Sequence, residues 1–87
     1  MFYVYVLKSQ MDGRFYIGST QDVRERLRRH NEGRVKSTRP YRPYLLVYTE
    51  EFKSRGEAVL REKELKRRKS HQSINNLMRD KKSRSRG

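Results

Sequence analysis

The chain has 87 residues, of which 32% are hydrophobic, and this allows one domain with a modest core and excludes a second. Its 23 Lys and Arg against 10 Asp and Glu leave a net charge of +13, so the expected partner is a polyanion, with nucleic acid first. Without cysteine it can build no disulfide framework, thiolate metal site or thiol nucleophile, and no apolar run nears the roughly 18 residues that cross a bilayer, so a soluble cytoplasmic protein with no membrane partner is expected.

The opening MFYVYVLKSQ shows neither a basic leader nor a small-residue cleavage site. Instead, Phe2 to Leu7 is an unbroken aromatic and β-branched run that enters a turn at Ser9, Gln10, Asp12 and Gly13, the pattern of a buried strand. Arg14 to Gly18 resumes as a second strand, which makes an antiparallel hairpin. A four-residue loop, Gln10 to Gly13, would set Ser9 opposite Arg14, Leu7 opposite Tyr16 and Tyr5 opposite Gly18, and both tyrosines would then project from one side of the sheet.

Ser19 or Thr20 is the expected cap of a first helix with Asp22 and Glu25 in its opening turn and Arg28, Arg29 and His30 in its last, stopped by Asn31 and Gly33. Arg34 to Tyr44, with two prolines and no period, is a basic loop expected to order on contact with a ligand, and Leu45 to Thr49 is a third strand. Glu57 to Arg68 is a second helix starting near Ser54 or Gly56. Ser70 caps a short last helix carrying Ile74, Leu77 and Met78, and Arg79 to Gly87 is a basic tail with nothing to bury, expected to be disordered. The order β-β-α-β-α-α indicates an α+β fold: one domain over residues 1–78 and a tail over 79–87.

Three features resist a purely structural reading. On the first helix, Val23, Leu27 and His30 share a stripe with Arg26 beside it, whereas Arg24 and Arg28 point away; a lone arginine at a core edge with its head in water is the simpler account. On the second helix, Ala58, Glu62 and Leu65 place a carboxylate inside an apolar stripe, with Leu60 on the opposite side. Burying that charge unpaired costs several kcal/mol, so Glu62 requires a salt bridge, to Arg26 or another base, a metal, or water. Tyr5 and Tyr16 add phenols to the hairpin face, while Tyr3 reads as packing. Together a phenol pair, an Arg, a His and one carboxylate are the parts needed to hold a divalent metal, neutralise a phosphoryl oxygen and move a proton.

With these residues the sequence resembles the GIY-YIG nuclease superfamily, in particular its small single-domain members, from about Phe2 to Met78. The second half of the signature is Tyr16-Ile17-Gly18; the first reads Tyr3-Val4-Tyr5, with Tyr3 in place of the leading glycine. The first helix carries Arg26 four residues before His30, and the second carries the glutamate in Arg61-Glu62-Lys63. The resemblance implies a three-stranded antiparallel sheet flanked by helices, with Tyr5, Tyr16, Arg26, His30 and Glu62 gathered over one sheet face. It implies phosphodiester hydrolysis with a single divalent metal, Mg2+ or Mn2+, held by Glu62. Arg26 would hold the scissile phosphate, Tyr5 would activate the water with Tyr16 and His30 assisting, and Gly18 would give backbone and phosphate room.

The expected function is a metal-dependent endonuclease acting on DNA, in repair or recombination; RNA, cut position and oligomeric state stay open. The alternative is a nucleic-acid-binding protein that retains the fold without cutting efficiently. Backbone binding is assigned to Arg34, Lys36, Arg39 and Arg42 of the loop and to Arg79, Lys81, Lys82, Arg84 and Arg86 of the tail.

Overall fold

The computed structural model describes residues 1–84, with side chains described through Arg79. Strand β1 (Phe2–Ser9) is central in a three-stranded antiparallel sheet, flanked by β2 (Phe15–Thr20) and β3 (Tyr44–Phe52). A central strand is covered on both faces, which is why Val4, Tyr5, Val6 and Leu7 form a continuous apolar run and are all buried. The β1–β2 register is the one expected from a four-residue loop: Tyr5 opposite Gly18 and Leu7 opposite Tyr16. The loop is closed by a hydrogen bond of 2.8 Å from the Ser9 N–H to the Arg14 carbonyl, with Gly13 at φ 80° completing the turn.

The sheet has a different core on each face. Helix α1 (Val23–Asn31) covers the side bearing Tyr5, Leu7 and Tyr44. Helix α2 (Arg55–Arg67) and helix α3 (His71–Arg84) cover the side bearing Val4, Val6, Ile17 and Tyr48, to which they add Ala58, Leu65 and Ile74. Leu60 points out at 70% exposure, in agreement with its place opposite the α2 stripe.

Strand β3 depends on a bulge. Its pairing with β1 steps from Val6–Tyr48 to Leu7–Leu46, so Val47 is an extra residue. In a regular strand Tyr44 and Tyr48, four apart, would share a face. The extra residue shifts the alternation, so that Tyr44 joins the α1 side and Tyr48 the α2 side, and Leu45 and Leu46 are left exposed at the sheet edge.

Several local expectations are corrected. The cap of α1 is Asp22, whose side chain accepts the Glu25 N–H, because Ser19 and Thr20 still belong to β2; the Thr20 hydroxyl accepts the Asp22 N–H at 3.1 Å and turns the chain into the helix. Ser54 caps α2 by accepting the Glu57 N–H, as expected, and Ser70 accepts the Ser73 N–H. The loop expected to wait for a ligand is already ordered: Arg39–Tyr41 forms a 3-10 turn, and the Ser9 hydroxyl donates to the Tyr41 carbonyl at 2.6 Å. In addition, the Arg14 guanidinium lies 3.5 Å from the Tyr41 ring centroid. Helix α3 runs to Arg84 instead of ending at Met78, since Arg79 to Arg84 contains good helix formers and no Gly or Pro. Of the tail expected to be disordered, 85–87 lie outside the described residues. Among those described, no helix is long and apolar enough to cross a membrane.

Candidate active site

Four of the five expected site residues meet on the α1 side. Pleat alternation sends Tyr5 and Leu7 of β1, and Tyr16 and Gly18 of β2, to the same face. The first turn of α1 is pinned by Asp22 and its last residue by a side-chain clamp: Asn31 Oδ1 accepts the Tyr44 N–H at 2.6 Å and its Nδ2 donates to the Tyr44 carbonyl at 3.2 Å. This places the preceding His30 over the sheet, fully buried. Its Nε2 is 3.1 Å from the Tyr5 Oη, and its ring centroid lies 4.8 Å from that of Tyr16 and 6.1 Å from that of Tyr44.

Two titratable groups here are shifted by burial. Burial pushes the Tyr5 phenol well above its ordinary value; the neighbouring Tyr16 and the Glu62 charge push the same way, and Arg26 opposes them. His30 is pushed down to about 4, first by burial and second by the Arg26 charge. At neutral pH the pair is therefore a protonated phenol facing a neutral imidazole. Arg26 is half-buried, and no hydrogen bond or ion pair to another described residue engages its guanidinium. Arg28, by contrast, is tied to Glu25 and Glu32 at 2.7 and 2.6 Å.

Glu62 arrives from the opposite layer. Its neighbours on the α2 stripe, Ala58 and Leu65, pack under the other sheet face, so it comes to the site past the β2 edge, where the Ser19 hydroxyl donates to Oε1 at 2.7 Å. The expectation of all five residues over one face is corrected to four plus one. Glu62 has the basic partner that its place in the stripe required, Lys66 and not Arg26: Lys66 Nζ lies 2.8 Å from Oε2. Burial is partial, with the Glu62 side chain 18% exposed and that of Lys66 50%.

Gly18 makes room for a protein group, the Tyr5 phenol. A Cβ there would stand 2.5 Å from the Tyr5 Oη, so only glycine leaves the phenol its place beside His30. Tyr3, at the position of the family's first glycine, is half-buried on the same face, lining a groove with Val23, Leu27 and Leu46.

The family model of the GIY-YIG catalytic domain matches residues 1–75. The chain belongs to the GIY-YIG family. Its relatives include the UPF0213 protein of Streptococcus pneumoniae serotype 4, 46% identical over 80% of this chain and 71% of that protein. Another is the UPF0213 protein SH2523 of Staphylococcus haemolyticus, 45% identical over 74% of this chain and 78% of that one. The solution NMR structure of the UPF0213 protein BH0048 from Bacillus halodurans aligns with a TM-score of 0.53 and 39% identity, covering 88% of this chain and 82% of that chain. The GIY-YIG family is part of a nuclease superfamily, so the constellation around Tyr5 lies in a domain type associated with phosphodiester chemistry.

Three residues of the GIY-YIG site escaped the sequence reading. Ser19 was an expected helix cap, Asn31 an expected helix stop, and Thr38, buried against His30 at 2.8 Å, lay unmarked within a basic loop. Pattern alone distinguishes none of the three, because each bonds to a residue at least 8 positions away.

Proposed function

We propose that this protein is a metal-dependent endonuclease that hydrolyses phosphodiester bonds in DNA. The observation that carries the reading is the uncommitted, half-buried Arg26 guanidinium beside the hydrogen-bonded Tyr5–His30 pair, with the Glu62 carboxylate at the neighbouring sheet edge.

Glu62 is suited to a hydrated divalent ion. Mg2+ keeps several of its waters and is usually bound through one or two carboxylates together with substrate phosphate, so a single aligned carboxylate suffices. The described residues include no group of three or more His, Asp, Glu or Cys that would form a closed cage. Ser19 orients Oε1, and Oε2 already attracts a cation, the half-exposed Lys66 ammonium, which solvent can receive when another cation takes its place. Bound there, Mg2+ or Mn2+ would supply charge neutralisation at the phosphate and its leaving oxygen.

The chain's own groups account for binding and proton movement. Arg26 receives a phosphoryl oxygen on its planar fork and stabilises the charge that builds there. As water attacks phosphorus, one of its protons passes to the Tyr5 Oη while the Tyr5 proton passes to His30 Nε2, leaving a neutral phenol and an imidazolium, and the bond to the leaving oxygen breaks. A phenol with a raised pKa would be a poor base alone, and the adjacent imidazole relieves that. The Arg26 charge that depresses His30 is neutralised by the arriving phosphate, which makes His30 a better acceptor once substrate is bound. Arg34, Lys36, Arg39, Arg42 and the cations of 79–86 supply sequence-independent backbone binding.

The test is cleavage of labelled single-stranded, duplex, flapped and branched DNA with Mg2+, Mn2+ or chelator, by the wild type, Glu62→Gln, Arg26→Ala and Arg28→Ala. The expected result is metal-dependent cutting that Glu62→Gln abolishes with fold and DNA binding intact. Arg26→Ala should lower it by about 100- to 1,000-fold, and the ion-paired Arg28→Ala far less. Undiminished cutting by folded Glu62→Gln would overturn the metal assignment. Binding of every substrate without cutting any would favour the binding-protein reading.

A further inference from the structure

The buried contact between α1 and the basic loop has a consequence for which way the His30 ring is protonated. His30 Nδ1 lies 2.8 Å from the Thr38 Oγ1, and both residues are sealed from solvent. The Thr38 hydroxyl in turn donates to the Val35 carbonyl at 3.3 Å, an oxygen that also accepts the Thr38 and Arg39 N–H groups at 3.1 and 3.0 Å, and a carbonyl can only accept. Three protons must therefore be placed along the line Tyr5, His30, Thr38, Val35. If His30 carries its proton on Nδ1, each finds an acceptor: Tyr5 O–H to Nε2, Nδ1–H to Thr38 Oγ1, and Thr38 O–H to Val35. If the proton is on Nε2 instead, it donates to the Tyr5 oxygen, and the phenolic proton of a 2%-exposed tyrosine has no other acceptor among the described residues. A buried donor left unsatisfied loses its hydrogen bond to water with nothing in return, and this decides between the two tautomers.

We infer that Thr38 is a positioning residue: its hydroxyl accepts from His30 Nδ1, holds the imidazole as the Nδ1–H tautomer, and keeps the Nε2 lone pair aimed at the Tyr5 hydroxyl. Thr38 itself touches neither Tyr5 nor the substrate position and acts through His30. The groups facing the ring are Tyr5 and Tyr16 from the hairpin, Tyr44 from β3 and Arg26 from its own helix. Of these only Tyr5 bonds a ring nitrogen, so within the described site the second nitrogen is governed by Thr38. The catalytic consequence rests on the nuclease reading, since only a lone pair on Nε2 can take the Tyr5 proton during water attack.

The tautomer can be read directly, without activity, from the imidazole nitrogen shifts of 15N-labelled protein at neutral pH. His30 should show a protonated Nδ1 and a bare Nε2 in the wild type and in Thr38→Ser, which keeps the hydroxyl. In Thr38→Val, of nearly the same shape without an acceptor, the proton should move wholly or partly to Nε2. Thr38→Val should also lower kcat by about 10- to 100-fold with KM little changed, and Thr38→Ser should recover most of the loss. A protonated Nε2 in the wild type, or an unshifted Nδ1–H in Thr38→Val, overturns the inference. Should Thr38→Val not fold, the wild-type spectrum still decides it. If no form of the protein cuts DNA, the nuclease reading falls, and the spectra continue to judge Thr38 separately.

Discussion

A Cβ built on Gly18 would lie 2.5 Å from the Tyr5 Oη and 2.7 Å from its Cζ, so the glycine of the Tyr16-Ile17-Gly18 motif and the tyrosine opposite it occupy one shared volume. Gly18→Ala must displace a buried ring and with it the 3.1 Å contact to His30. Overpacking of this kind costs about 1–3 kcal/mol, and we expect a folded but less stable protein whose cleavage is at least about tenfold slower, measured by urea denaturation and single-turnover assays. A folded variant cutting at the wild-type rate would show that the Tyr5 position is unimportant. His30 makes a second prediction at this scale. The unfolded chain protonates it near 6.5 and the folded chain only near 4, so between these values the unfolded state binds more protons. The stability associated with neutral His30 is complete above about 6.5 and is lost as pH falls toward about 4. The denaturation midpoint should therefore drop over that window in the wild type and drop less in His30→Gln; equal slopes would contradict the burial-driven shift.

At the scale of elements, two devices bring the α1 face into line. The Val47 bulge in β3 changes which side of the sheet its tyrosines address, and the Asn31 clamp ties the end of α1 to the start of that strand. Asn31 substitutes for a neighbouring strand at Tyr44, satisfying both its N–H and its carbonyl. Asn31→Ala should cost about 1–3 kcal/mol by urea denaturation, and because His30 immediately precedes it, the His30 ring resonances should broaden or shift. Unchanged stability would mean that solvent replaces the clamp at no cost. On the other face, Arg61 holds Glu50 and Glu64 by ion pairs of 2.8 and 2.9 Å while Tyr48 donates to Glu50. Glu50 and Glu64 keep the Arg61 guanidinium above its ordinary pKa, while burial first and Glu50 second push Tyr48 up to about 12 against the opposing Arg61 charge, so this cluster is a staple between α2 and β3 with no proton to give near neutrality.

For the molecule as a whole, a net charge of +13 on 87 residues means that affinity for a polyanion is governed by counterion release. The loop cations divide by what they hold: Arg39 donates to the Gly33 carbonyl at 2.7 Å and Arg42 to the Arg39 carbonyl at 3.1 Å, whereas the Arg34 side chain is paired with Glu32 at 3.0 Å and Lys36 is exposed. Replacing Arg34 and Lys36 with Gln, or removing residues 79–87, which follow the core residues Ile74, Leu77 and Met78, should leave the fold intact. Each should weaken DNA binding and flatten the fall of log affinity with log salt by roughly 0.9 per lost phosphate contact, with the single-turnover rate at saturating protein unchanged. An unaltered salt slope would assign these cations to solubility, and a collapsed rate would place them in the site.

By itself the sequence determined the elements, the hairpin register and the identity of the residues that meet Tyr5. Those depend on local causes: an alternation of period two, a four-residue loop between Ser9 and Arg14, and a helical stripe through Val23, Leu27 and His30. It also exposed Glu62 as out of place, since a carboxylate between Ala58 and Leu65 violates the pattern whatever it binds. Only the tertiary structure decided that Ser19 bonds that carboxylate, that it reaches the site from the opposite layer, that Tyr44 and Tyr48 part company at a bulge, and that Thr38 reaches His30. For the Ser19 and Thr38 bonds the reason is the same. A hydrogen bond across 8 to 43 residues leaves no period in the chain, and its energy is set by which groups burial deprives of water once the layers have closed.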